Sequence, residues 1–63
     1  MTQKELLYVE DAIGHEESIV NIFEDMVNTL EDEELVSFIK KEIKKHKNIY
    51  EKLISKLEDK SNE

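Results

Sequence analysis

Apolar residues recur every seven positions along the first half of the chain, and a second series follows three positions behind the first. The first series is Leu6, Ile13, Val20 and Val27, and the second is Val9, Glu16, Phe23 and Leu30. Both series fall on one face of an amphipathic helix. Thr2 and Glu5 have the spacing of a capping box, which marks a helix start. The pattern therefore predicts a first helix over about residues 3–29.

The second half repeats this pattern after a short polar turn at about residues 30–32. Its two series are Val36, Ile43, Tyr50 and Leu57, and Ile39, His46 and Leu53. Asp32 is a good N-cap, with Thr29 as the alternative, and the acids that follow suit the positive end of a helix dipole. We expect a second helix over about residues 33–59 and a frayed tail from Asp59 to Glu63.

The fold class that follows is all-α, a single domain over residues 1–63 in which two antiparallel helices form a hairpin. A chain of 63 residues buries only about 60% of the surface that it exposes when unfolded, and each helix of a lone hairpin has one neighbour. We therefore expect a homodimer that completes a four-helix bundle. The alternative is a weakly folded monomeric hairpin. The pattern leaves open whether the dimer is parallel or antiparallel.

Composition narrows the classes of partner and site. The net charge of −7 argues against binding to nucleic acid or to an anionic membrane surface. Residues 1–34 hold one lysine and eleven acids (−10), and residues 35–63 hold eight lysines and five acids (+3), which suits packing of one half on the other. The absence of cysteine excludes disulfides and thiolate metal sites. With no signal-peptide pattern and no long apolar run, we expect a soluble cytoplasmic protein.

Two polar residues interrupt the apolar series at matching heights. In a hairpin that turns near residue 31, Glu16 and His46 lie at the same level, because their numbers sum to 62, and Glu42 precedes His46 by one turn. One interpretation is a site for iron, manganese or zinc, with Glu16, His46 and Glu42 as ligands. A second is a hydrogen-bonded pair that fixes the register of the helices, without any cofactor. A third places the Glu16 carboxylate in water.

The same segments resemble a known family. Ala12-Ile13-Gly14-His15-Glu16, followed by Phe23, resembles the first helix of rubrerythrin-type ferritin-like proteins, and the stretch from Phe38 to His46 resembles their next helix. The resemblance covers roughly residues 6–53 and implies that Glu16 and His46 are metal ligands in half of a four-helix bundle. Ile43 replaces the glutamate that bridges two metals in that family, while Glu42 matches the glutamate before it. These departures argue against two-iron oxidase chemistry, and a one-metal site or a metal-free descendant of the family fits the residues better.

Two functional hypotheses follow from these observations. The first is a small dimeric ferritin-like protein that binds a transition metal through core glutamate and histidine, without catalytic turnover. The second is a metal-free module for protein–protein interaction, such as an adaptor, regulator or assembly subunit. Gly14 destabilises a mid-helix position, and we expect a close approach of the helices near Glu16 to explain it.

Overall fold

The chain forms two long helices packed against each other. A computed structural model describes residues 1–61, with side chains as far as Asp59. Helix α1 spans Gln3–Thr29 and helix α2 spans Glu33–Ser61. The predicted all-α hairpin is thus confirmed, with the turn where it was expected. Neither helix in this part of the chain is long and apolar enough to cross a membrane.

The end of α2 differs from the prediction. We expected the tail to fray from Asp59 onward, but the residues from Asp59 to Ser61 continue the helix. No proline or glycine occurs there to stop it, and a helix propagates more easily than it begins. Residues 62 and 63, on which the rest of that expectation falls, lie outside the described residues.

Side-chain caps begin both helices as the sequence predicts. The backbone N–H of Glu5 donates to the Thr2 hydroxyl at 3.1 Å, and the Thr2 N–H donates to Glu5 Oε1 at 2.7 Å. At α2, the Leu35 N–H donates to Asp32 Oδ1 at 2.9 Å. The hydroxyl of Thr29, the alternative cap, instead donates to the Asp25 carbonyl within α1. Asp32 is therefore the N-cap of α2.

The hairpin has little interior of its own. The described residues form a narrow rod of 47 × 14 × 12 Å. Val20 on α1 and Ile39 on α2 are the buried residues, and the other positions of the heptad series are half-buried or exposed. Each helix can cover only one side of the other, so two helices leave part of each apolar stripe in contact with water.

Ionic and polar contacts bridge the helices along one side of the rod, which we call the polar side. Lys47 Nζ lies 3.6 Å from Glu24 Oε1, and the Tyr50 hydroxyl donates to Glu17 Oε1 across 3.5 Å. Glu17, Lys47 and Tyr50 also line one shallow groove, so these flanks of α1 and α2 lie on the same side of the hairpin.

The opposite side carries most of the large exposed apolar residues, with Glu42, Lys45 and Lys56 of α2 among them. Tyr8 precedes Glu17 by nine residues and Phe38 precedes Lys47 by nine, which is about half a turn around each helix at roughly 100° per residue. Tyr8 and Phe38 therefore both lie on the side away from these polar contacts. Other apolar residues follow them at helical spacing. This surface, the apolar face, consists of Tyr8, Ala12, Ile19, Ile22 and Met26 on α1 and Leu35, Phe38 and Ile49 on α2.

Gly14 does not mark a close approach between helices. A Cβ atom built on Gly14 would meet nothing within 4 Å, and the residue is exposed. Its position two residues before Glu16 rotates it about 200° away from that side chain, so it points away from α2. The expectation that tight packing explains this glycine is wrong.

Candidate functional site

His46 sits between two carboxylates, and we call this group the His46 cluster. Its Nδ1 lies 2.5 Å from Glu16 Oε2 on α1, and its Nε2 lies 3.8 Å from Glu42 Oε2 one turn earlier on α2. The structure thus brings together all three residues that the sequence singled out. The contact between Glu16 and His46 joins the two helices at the height that their numbering predicts.

The aromatic ring of Phe23 packs against the imidazole. The two ring centroids are 5.8 Å apart and the planes meet at 67°, an edge-to-face arrangement. Phe23 lies one heptad beyond the level of His46, so counting positions does not predict this contact. Side chains lean toward the N-terminus of their helix. In an antiparallel pair this brings Phe23 and His46 toward each other, which is the signal that could have found the contact.

The cluster is partly shielded from water. The side chains of Glu16, His46 and Glu42 are 16%, 22% and 26% exposed, so the interpretation that leaves the Glu16 carboxylate in open solvent does not match its position. An ionised carboxylate only accepts hydrogen bonds, so with Glu16 charged the donor is His46 Nδ1. The second ring nitrogen, Nε2, faces Glu42 Oε2 at 3.8 Å. A protonated imidazole directs an N–H there, and a neutral one directs a lone pair.

The distances test which donors suit a metal. Two ligands at about 2.0–2.2 Å from one tetrahedral metal lie roughly 3.3 Å apart. The separation of 2.5 Å between Glu16 Oε2 and His46 Nδ1 is that of a hydrogen bond. Nε2 and Glu42 Oε2, at 3.8 Å, leave enough room for a metal ion between them.

One chain does not supply a complete ligand set. Across the described residues, no group of three or more histidine, aspartate or glutamate side chains is arranged to hold a metal ion. The other histidine, His15, is exposed and lies 3.4 Å from Asp11 on the same helix, away from the cluster. The prediction that Glu16, His46 and Glu42 bind a metal stays a prediction.

Comparison with family models, curated proteins and solved structures found no match to this chain. The resemblance to rubrerythrin-type ferritin-like proteins therefore stays a prediction, based on the residues quoted for it.

Proposed function

We propose that this chain is a protein–protein interaction module, an assembly subunit that pairs with a second copy of itself through the apolar face. The observation that carries the proposal is the exposure of that face. Tyr8, Ile22 and Phe38 are 64%, 57% and 56% exposed, although they lie together on one side of the rod. Several large apolar side chains exposed on one side of a small chain typically mark a site of association.

The small interior supports the same proposal. With Val20 and Ile39 as the buried residues, a single hairpin has little apolar burial to offset the entropy of ordering two long helices. A second hairpin laid on the apolar face would cover the rest of both stripes. The product would be a four-helix bundle, the arrangement that the resemblance to ferritin-like proteins also implies.

Charge favours a second copy as the occupant, and favours one way of stacking it. Around α2, Lys45 and Lys56 lie within about 20° of Phe38 and Lys41 and Lys52 lie farther out, and Glu34 and Asp59 are the acids of this edge. The matching edge of α1 carries Asp11 and Asp25, with Lys4 over the Tyr8 ring as its one lysine. The edge of α2 is thus net positive and that of α1 net negative. Stacking α2 on the partner's α2 would oppose lysines to lysines. Stacking α1 on the partner's α2 brings acids to lysines. The second arrangement has its two-fold axis along the helices, so every helix has antiparallel neighbours.

Sedimentation velocity over a wide range of concentrations tests the proposal, because the chain mass is 7.5 kDa and a dimer has twice that mass. We expect a dimer for the wild type and a monomer for Ile22→Glu, which puts a charge on the apolar face. Leu7→Glu is the matched control: Leu7 is 60% exposed but points outward from α1, so this variant should remain dimeric. A wild-type chain with the mass of a single hairpin throughout would overturn self-pairing.

A further inference from the structure

The charged residues at the outer edges of the apolar face follow an order that matches between the two helices. On α1 they are Lys4, Asp11 and Asp25. On α2 they are Glu34, Lys41, Lys45, Lys52, Lys56 and Asp59. The four lysines form two pairs whose members are four residues apart, so the members of each pair are neighbours on the surface of α2. All of these side chains are exposed and are therefore accessible to a second chain.

Contacts inside the hairpin show which residues of two antiparallel helices come together. Three polar contacts join Glu16, Glu17 and Glu24 to α2, and the numbers of the two residues in each contact sum to 62, 67 and 71. The larger sums arise because side chains lean toward the N-terminus of their own helix. A two-fold axis along the helices keeps both chains at the same height, so we expect the same range of sums between α1 and the partner's α2.

Within that range, each aspartate of the α1 edge lies opposite one pair of lysines. Asp11 lies opposite Lys52 and Lys56 of the second copy, with sums of 63 and 67. Asp25 lies opposite Lys41 and Lys45, with sums of 66 and 70. Lys4 lies opposite Asp59 at 63, and Glu34 lies opposite the uncharged Thr29. Asp11 with Asp59 is a like-charged pair close to the upper limit, at 70.

A shift of one chain along the other loses this match. A shift by seven residues keeps apolar positions in contact, because they repeat at that spacing, so apolar packing alone does not exclude it. In one direction the shift brings Asp25 opposite Glu34 and Lys4 opposite Lys52. In the other direction it moves Asp59 away from Lys4 and brings Asp11 level with Asp59. The order of charges therefore favours the unshifted arrangement.

We propose that Asp11 and Asp25 select the partner and fix the register of self-pairing, each by facing two lysines one turn apart on α2 of a second copy. The inference rests on the proposed self-pairing. The apolar face supplies most of the affinity, and the charges supply selectivity, because complementary charge at the rim of an interface discriminates between partners more than it adds affinity. A chain that this edge recognises must carry such lysine pairs beside an apolar stripe, as a second copy does.

The test exchanges charges between two versions of the full chain. One version carries Asp11→Lys, and the other carries Lys52→Glu together with Lys56→Glu. Each version should pair with itself at least about tenfold more weakly than the wild type in low salt, since both edges of its dimer oppose like charges. An equimolar mixture should pair as tightly as the wild type, because the mixed dimer has one edge with exchanged charges and one unchanged edge. Sedimentation at several concentrations gives the dissociation constants.

Glu10→Lys is the matched control. It makes the same change of charge at an exposed residue seven positions before Glu17, on the polar side of α1, and should pair as the wild type does. Asp11 also lies 3.4 Å from His15, but both side chains are 73% exposed, so loss of that contact costs little. In about 1 M salt, where the Debye length is about 3 Å, the differences between all versions should largely disappear.

The outcomes separate this inference from self-pairing itself. An Asp11→Lys chain that pairs as tightly as Glu10→Lys, or a mixture that pairs as weakly as its two components, would overturn the role of the charges and leave self-pairing intact. A wild-type chain that stays monomeric at every concentration would overturn both. Circular dichroism of each version confirms that the helices persist, and recovery of pairing in the mixture requires that both versions are folded.

Discussion

His46 Nδ1 on α2 lies 2.5 Å from Glu16 Oε2 on α1, and this hydrogen bond joins two positions of the heptad series that are otherwise occupied by aliphatic and aromatic residues. The side chains of His46 and Glu16 are 22% and 16% exposed. Each therefore provides a hydrogen-bond partner for a polar group that is otherwise held among apolar side chains. Polar pairs of this kind oppose slippage of one helix along the other, because any shift by a turn would leave both groups unpaired.

Replacing His46 with leucine should destabilise the hairpin. The substitution leaves the Glu16 carboxylate partly buried without its partner, and an unsatisfied polar group costs about 1–3 kcal/mol. Urea unfolding of the wild type and His46→Leu measures the difference.

The double variant Glu16→Leu with His46→Leu is the control for this pair. Replacement of both partners by apolar groups is nearly neutral, so most of the lost stability should return. If His46→Leu alone is as stable as the wild type, the hydrogen bond does not contribute to folding.

Replacing Gly14 with alanine should stabilise the chain by about 0.5–1 kcal/mol, because alanine loses less backbone entropy in a helix than glycine does. No atom lies within 4 Å of the added Cβ, so no steric cost opposes the gain. Thermal unfolding by circular dichroism would detect it, and sedimentation should be unaffected because Gly14 faces outward. A lower melting temperature would mean that a partner packs closely at this position.

Replacing Asp32 with alanine should cost about 1 kcal/mol, the usual contribution of an N-cap side chain. The Leu35 N–H, which now donates to Asp32 Oδ1 at 2.9 Å, would lose its acceptor. Asp32→Asn keeps an oxygen in place and serves as the control in the same urea titration. Equal losses for alanine and asparagine would attribute the effect to charge at the helix dipole and not to the cap.

The start of α1 should loosen in acid. Hydrogen bonds to Glu5 from the Thr2 backbone N–H, and then from the Thr2 side chain, lower the pKa of Glu5 below its ordinary value of 4.5. A pKa that is lower in the folded state means stability that is present above 4.5 and lost as the pH falls through the folded value. Amide exchange at Leu6, whose N–H bonds the Thr2 carbonyl, should accelerate over that interval. Glu5→Gln, which cannot ionise, should show no such step.

Much of this structure could be predicted from heptad spacing and cap residues. Two interleaved apolar series specify one face of each helix, and Asp32 specifies where the second helix begins, so the hairpin follows. The contact of Glu16 with His46 is predictable, because the position of the turn alone decides which residues of the two helices lie opposite each other. Side-chain direction is not available from such counting. The contact of the Phe23 ring with His46 also requires the lean of side chains toward the N-terminus of each helix, and the turn of Nε2 toward Glu42 depends on the rotamer that packing selects.

Gly14 shows a second limit of sequence reasoning. Glycine weakens a helix, and its position two residues before Glu16 predicts that the two helices pack closely there. Rotation around the helix separates neighbours in sequence by about 100° per residue, so Gly14 and Glu16 face different surroundings. The apolar face is a similar case. Spacing shows which residues share a face of one helix, but the contacts of Lys47 and Tyr50 with α1 are needed to show which faces of the two helices lie on the same side of the hairpin.

The apolar face lies on one flank of the rod, and this limits the number of chains that an assembly built through it can contain. A rod that is adhesive on both flanks would stack without limit and grow into fibres. Glu17, Glu24 and Lys47 make the other flank charged, so the proposed two-fold pairing would cover the apolar face of both chains. Growth would then end at the pair, because an isologous contact uses the same surface of both chains.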